Sequence, residues 1–129
     1  MQKRTAEKVV DILGLVEAML DDGRPRKLPG KPRPEAIIWG LPAKVSLRNW
    51  YDIQKVSLVG AFKMAALEQG YSAYVRKVAA QELAWAVYDR FGQIAFLGLD
   101  ELDGREPDTR QLIRDVKRAR RFVERTWLK

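Results

Sequence analysis

The sequence contains no cysteine and no histidine. The absence of cysteine excludes disulfides and thiolate metal ligands, and it is typical of proteins that fold in a reducing compartment, so we expect a cytoplasmic protein. Without histidine the chain also lacks the most common general base and the most common zinc ligand. We therefore expect no enzymatic activity, no cofactor and no bound metal.

Long apolar runs are absent too, and glycine and proline are scarce. No stretch approaches the roughly eighteen apolar residues that a membrane span requires, so we expect no integral membrane association. The 129 residues include only nine glycines and six prolines, and 47% of them are hydrophobic. This length and composition predict one folded domain over residues 1–129 rather than a disordered chain.

Apolar residues recur at three- and four-residue steps in several segments, a pattern typical of amphipathic helices. The sequence therefore predicts a mainly α fold, a compact bundle of four to five helices, with room for one small two-stranded β element formed by 36–42 and 93–98. The helical regions are predicted over 5–22, 46–92 and 108–128. Polar residues suited to N-caps are Thr5, Ser46, Ser72 and either Asp108 or Thr109. Gly60 favours a break within 46–68, and 100–108 has the composition of an acidic loop.

Positive charge is concentrated in two segments. The chain has 24 lysines and arginines against 17 acidic residues, a net charge of +7. Segment 24–35 is rich in proline, and residues 24–33 contain five cations and no acid, so the sequence predicts an extended basic arm on the surface. A field of this sign attracts anionic partners.

The second basic segment, 110–129, separates into two faces when wound as a helix. Its apolar stripe comprises Leu112, Val116, Ala119, Val123 and Trp127. Seven cations gather on the opposite side within roughly 120°: Arg110, Arg114, Lys117, Arg118, Arg121, Arg125 and Lys129. The acids Asp115 and Glu124 fall on the flanks. Crowded like charges repel one another, so this face favours binding of an anionic partner. The alternative interpretation is an ordinary solvated surface.

A helix-turn-helix is an alternative source of nucleic-acid contacts around Gly70. Ser72 suits the cap of a second helix, whose exposed residues would be Tyr74, Arg76, Lys77 and Gln81. The spacing does not fit, because Arg76 stands six positions after the glycine, where a recognition helix needs a core residue. A simple helical corner is the preferred interpretation.

Two further groups of residues could carry chemistry. The acids Asp100, Glu101, Asp103, Glu106 and Asp108 could hold Mg²⁺, but an acidic segment before a helix is also favoured by the helix dipole alone. Four tryptophans could stack on single-stranded nucleic acid. Spacing predicts that Trp50 and Trp85 are core residues, whereas Trp39 and Trp127 are better candidates for the surface.

These patterns predict a small basic nucleic-acid-binding protein, with DNA favoured over RNA, that serves a regulatory or accessory role. The residues expected to contact phosphates or bases are Arg24, Arg26, Lys27, Lys31, Arg33, Arg76, Lys77, Arg110, Arg114, Lys117, Arg118, Arg121 and Arg125. The alternative is a protein-interaction module or inhibitor, as in a phage or mobile-element protein, that uses Phe122 and Trp127 to anchor an acidic partner protein. A peripheral membrane helix is a weaker third reading, and homo-oligomerisation stays open.

Overall fold

The computed structural model describes residues 1–22, 57–88, 99–106 and 108–129. These residues form five helices: α1 (Lys3–Leu20), α2 (Leu58–Gln69), α3 (Ala73–Ala86), α4 (Leu99–Arg105) and α5 (Thr109–Trp127). The prediction of a mainly α fold is confirmed. No strand occurs in the described residues, which give no support for the β element; its two predicted segments, 36–42 and 93–98, lie outside them.

Helix α1 occupies the centre of the packing. It contacts α2, α3 and α5, while α5 also packs on α3 and α4 packs on α2. Seven side chains of α1 are buried because apolar residues recur along one side of the helix: Ala6, Val9, Ile12, Leu13, Val16, Met19 and Leu20. Removing this apolar surface from water drives the other helices onto α1.

The first helix begins earlier than Thr5. It starts at Lys3, with Gln2 as an N-cap residue that makes no side-chain cap hydrogen bond. The prediction that Thr5 caps this helix is therefore wrong, and Thr5 lies inside the first turn. Met1 packs against the buried core, so a tertiary contact supports a helix start that no capping residue marks.

Helices α2 and α3 are joined by a tight turn at Gly70. The backbone of Gly70 is left-handed, with φ of 69°, a conformation that glycine adopts without steric cost. The N–H of Tyr71 donates to the Ala66 carbonyl at 2.8 Å. Ser72 then caps α3 by accepting a hydrogen bond from the N–H of Val75 at 3.4 Å, as predicted.

The start of α2 is also capped by a serine, at Ser57. Its hydroxyl accepts a hydrogen bond from the N–H of Gly60 at 3.1 Å. Gly60 therefore lies in the first turn of α2. Because Ser57 is not helical, 46–68 is not one unbroken helix, and the interruption lies just before Leu58 rather than at Gly60. The predicted cap Ser46 lies outside the described residues.

Part of the predicted acidic loop 100–108 is helical, because α4 covers Leu99–Arg105. Leu102 is buried in the core, and Asp103 is only 2% exposed. The Leu58 N–H, at the beginning of α2, donates to Asp103 Oδ2 at 2.9 Å. The carboxylate thus joins α4 to the positive end of α2, where a negative charge is favourable.

Candidate nucleic-acid interface

Helix α5 presents one side to the core. Its apolar seam, Leu112, Val116, Ala119 and Val123, is at most 1% exposed. The helix starts where Asp108 Oδ1 accepts a hydrogen bond from the Arg110 N–H at 3.0 Å, so the predicted Asp108 cap is confirmed. Packing of the seam against α1 and α3 fixes which side of α5 faces outward.

The opposite side of α5, here called the basic face, comprises the seven cations predicted from the sequence: Arg110, Arg114, Lys117, Arg118, Arg121, Arg125 and Lys129. All are exposed except Lys117, which is half-buried. Arg110 and Arg125 are about 22 Å apart along the helix axis at 1.5 Å per residue. The basic face therefore runs along most of α5.

Two arginines of the basic face donate hydrogen bonds to uncharged acceptors. Arg114 Nη2 donates to the amide oxygen of Gln111 at 3.0 Å, and Arg125 Nε donates to the backbone carbonyl of Arg121 at 3.3 Å. Both acceptors are uncharged. Arg120, on the flank of α5, forms ion pairs with Glu17 and Glu124.

The two acids of α5 do not sit symmetrically on the flanks. Asp115 is 2% exposed and accepts a hydrogen bond from Gln111 Nε2 at 3.1 Å. The helical wheel places Asp115 on a flank of α5, and in the folded protein that flank is covered. Glu124 is exposed and pairs with Arg120.

A groove lies between α3 and α5, beside the basic face. This α3–α5 groove has a volume of about 220 Å³. Its lining residues are Glu82, Trp85, Ala86, Arg118, Ala119, Phe122 and Arg125. Trp85 is 49% exposed and Phe122 is 51% exposed, so two large aromatic side chains that line the same groove are each half exposed. The groove combines aromatic rings with two guanidinium groups.

The tryptophan predictions are corrected in part. Trp85, predicted as a core residue, is half-exposed, and its ring centroid lies 5.6 Å from that of Tyr88. Trp127 is 37% exposed, as expected for a surface residue, although the helical wheel places it in the apolar stripe. Trp39 and Trp50 lie outside the described residues. No local pattern indicates that Trp85 and Phe122 line the same groove, because the two residues belong to different helices.

Burial of Glu82 raises the pKa of its carboxyl group above the ordinary value of 4.5, against a smaller opposite effect of the N-terminal ammonium group. Glu82 lies in the lining of the α3–α5 groove. An ionised carboxylate at this position repels an anionic ligand. It is therefore a natural probe of what the groove binds.

The other predicted contact residues are placed as follows. On α3, Lys77 is exposed and Arg76 is half-buried, while Val75 is 6% exposed and belongs to the core. The first buried residue of α3 thus lies five positions after Gly70, which fits the helical corner rather than a recognition helix. The residues of the basic arm, Arg24, Arg26, Lys27, Lys31 and Arg33, lie outside the described residues.

The acidic segment before α5 has structural roles at two of its positions. Asp103 binds the start of α2, and Asp108 caps α5. Within the described residues, no group of three or more acidic side chains is arranged to hold a metal ion.

None of the described helices is long and apolar enough to cross a membrane. Comparisons with protein-family models, with curated proteins and with solved structures find no match to this chain. The functional argument therefore depends on the chemistry of the basic face and of the α3–α5 groove.

Proposed function

We propose that this protein binds nucleic acid, with DNA as the favoured ligand, and that it acts as a regulatory or accessory factor rather than as an enzyme. The observation that carries the proposal is the exposure of the basic face. Arg110, Arg114 and Arg121 are exposed to solvent, whereas the neighbouring Arg120 forms ion pairs with Glu17 and Glu124. Because these guanidinium groups are exposed to solvent, they are suited to phosphate contacts.

The dimensions of the basic face support phosphate binding. The charges of one strand of duplex DNA repeat at about 3.4 Å along the axis, so the roughly 22 Å between Arg110 and Arg125 spans several phosphates. Arginine also binds phosphate oxygens through two parallel hydrogen bonds. A rigid helix with its seam in the core holds these side chains in one row.

The test is a salt series. Anisotropy of a labelled duplex of random sequence measures affinity, with an RNA duplex of the same length in parallel. If about six phosphates are engaged, the logarithm of the association constant falls with the logarithm of salt concentration at a slope near −5. Absence of binding at low salt contradicts the proposal.

A matched pair of variants locates the contact. The double substitution Arg114→Gln/Arg121→Gln removes two charges from the basic face, and we expect a slope less negative by about 2. The substitution Lys3→Gln/Lys63→Gln removes the same charge from α1 and α2 and should leave the slope unchanged. Equal effects of the two variants would show that only net charge matters.

A second candidate function is binding to an acidic protein surface. It is supported by the exposure of Phe122, 51%, which lines the α3–α5 groove together with Arg118 and Arg125, and by the exposure of Trp127, 37%. Aromatic residues and arginine dominate the binding energy of many protein interfaces. Retention of a partner from a nuclease-treated lysate favours this function, whereas retention that requires nucleic acid favours the first.

A further inference from the structure

We propose that the α3–α5 groove receives an unpaired base, so that the protein binds single-stranded nucleic acid more tightly than a duplex of equal length. This inference rests on the proposed function and specifies the class of nucleic acid. Its additional evidence is the pair of aromatic side chains Trp85 and Phe122, which line the groove together with Arg118 and Arg125 of the basic face.

The aromatic rings provide surface for a flat apolar group. Trp85 contributes from α3 and Phe122 from α5, and about half of each side chain is exposed. Stacking of a base on such rings buries apolar area and is tolerant of sequence, since every base has an aromatic face. In a duplex these faces are already covered by neighbouring base pairs, so only an unpaired base can use the groove.

The order of charges along α5 fits a nucleic-acid strand. Arg118 and Arg125 lie about one helical turn before and after Phe122, and both line the groove. Their Cα atoms are about 10 Å apart along the axis. A strand offers the complementary order, with a base between two phosphates, so each part meets a group of suitable chemistry.

A neutral apolar partner fits the same groove less well. It would cover the exposed guanidinium group of Arg125, whose Nε donates to the uncharged carbonyl of Arg121, and covering a charge without a counter-charge is costly. An anionic strand supplies the compensating charge. The observations thus favour a strand over an apolar peptide, and an acidic protein becomes one outcome of the test.

The decisive measurement compares two strands that differ only in their bases. A labelled oligothymidine and an abasic strand of equal length carry the same phosphates. One stacked base contributes roughly fivefold to a hundredfold in affinity, so we expect the wild-type protein to prefer the oligothymidine by at least fivefold. A duplex of that length should bind more weakly than the oligothymidine.

Three substitutions assign the preference to the groove. Trp85→Leu and Phe122→Leu remove the rings, and each should reduce the preference for the oligothymidine while binding to the abasic strand stays the same. Tyr74→Leu is the matched control, because Tyr74 is 60% exposed on α3 but does not line the groove. Circular dichroism of each variant establishes that the helices are retained.

Glu82 supplies a test of opposite sign. Replacing its carboxylate with the neutral amide in Glu82→Gln removes a negative charge from the groove lining, so binding of the oligothymidine should become tighter. Tighter binding that also disappears in Glu82→Gln/Phe122→Leu supports a base and its phosphates in the groove. Unchanged or weaker binding in Glu82→Gln contradicts that placement.

The outcomes separate this inference from the proposed function. Equal binding of the oligothymidine and the abasic strand, with a basic-face variant that still weakens both, overturns the base site and leaves phosphate binding intact. No binding of any strand or duplex at low salt overturns both proposals. If Trp85→Leu and Phe122→Leu release only a protein partner and leave oligothymidine binding unchanged, the groove belongs to a protein interface and the inference is wrong.

Discussion

The guanidinium group of Arg120 reaches from α5 to α1, where its Nη1 lies 3.3 Å from Oε1 of Glu17. The Nε of Arg120 also lies 3.5 Å from a carboxylate oxygen of Glu124, one turn further along α5. Arg121, the next residue, is exposed on the basic face. Because the helix rotates by about 100° per residue, adjacent arginines have different surroundings.

This difference predicts that one of two neighbouring substitutions affects binding and the other affects stability. Arg121→Gln should make the salt dependence of duplex binding less negative by about 1, and the free energy of unfolding should change by less than about 0.5 kcal/mol. Arg120→Gln should leave the salt dependence unchanged and destabilise the fold by up to about 1 kcal/mol, the upper range for a partly exposed pair. Salt titration and urea unfolding measure the two effects, and identical results for both variants contradict the assignment.

Tyr71 joins the α2–α3 turn to α1. Its hydroxyl donates to Asp11 Oδ2 at 2.6 Å, and Lys8 Nζ lies 5.5 Å from the centroid of its ring. This hydrogen bond, together with burial and the negative charges of Asp11 and Glu7, raises the pKa of Tyr71 to about 12. A raised pKa means that the stabilising contribution is complete below about pH 10 and is lost as the pH rises through about 12.

The corresponding prediction concerns the phenolate absorbance. The difference between wild type and Tyr71→Phe isolates the titration of Tyr71, which should have its midpoint near pH 12. In Asp11→Asn the acceptor loses its charge, so the midpoint should move back toward the ordinary value near 10. Tyr71→Phe should also lower the free energy of unfolding at pH 7 by about 0.5 to 1 kcal/mol, because the hydrogen bond lies in an exposed position. A midpoint that is the same in wild type and Asp11→Asn contradicts the contact.

The hydrogen bond between Asp103 and Leu58 predicts a larger effect on stability. Asp103→Ala leaves the buried N–H of Leu58 without this acceptor, which should cost about 1 to 3 kcal/mol. Asp103→Asn keeps an acceptor oxygen and should cost less, mainly through the lost interaction with the dipole of α2. Urea unfolding followed by circular dichroism gives the comparison, with Asp21→Asn at the exposed end of α1 as a control expected within about 0.5 kcal/mol of wild type. Equal stability of Asp103→Ala and this control would remove the role assigned to the carboxylate.

Helix α5 shows which features can be predicted from sequence. Its seam repeats every three to four residues, and Asp108 provides a side-chain cap, so both its start and its buried side follow from local patterns. The same holds for α3, which begins at its predicted cap, Ser72. Such features depend on residues within one or two turns of each other.

The errors occur where a distant segment decides the outcome. Trp85 has the spacing of a core residue, but the position of α5 leaves a groove in front of it. Segment 100–108 has the composition of a loop, yet burial of Leu102 and the contact between Asp103 and α2 support the short helix α4. Asp115 lies on the helical wheel between the apolar seam and the basic face, yet in the folded protein it is buried. None of these contacts leaves a pattern in the local sequence.

The raised pKa of Glu82 predicts how stability depends on pH. Burial disfavours its ionised form, so the folded protein holds this proton more tightly than the unfolded chain does. The contribution of Glu82 is therefore most favourable below its ordinary pKa of 4.5 and is lost as the pH rises through the higher pKa of the folded state. At pH 7, Glu82→Gln avoids this loss and should have a higher Tm than wild type. The difference should shrink as the pH falls toward 4, as measured by thermal unfolding at a series of pH values; a difference that is constant with pH would mean that ionisation of Glu82 does not oppose folding.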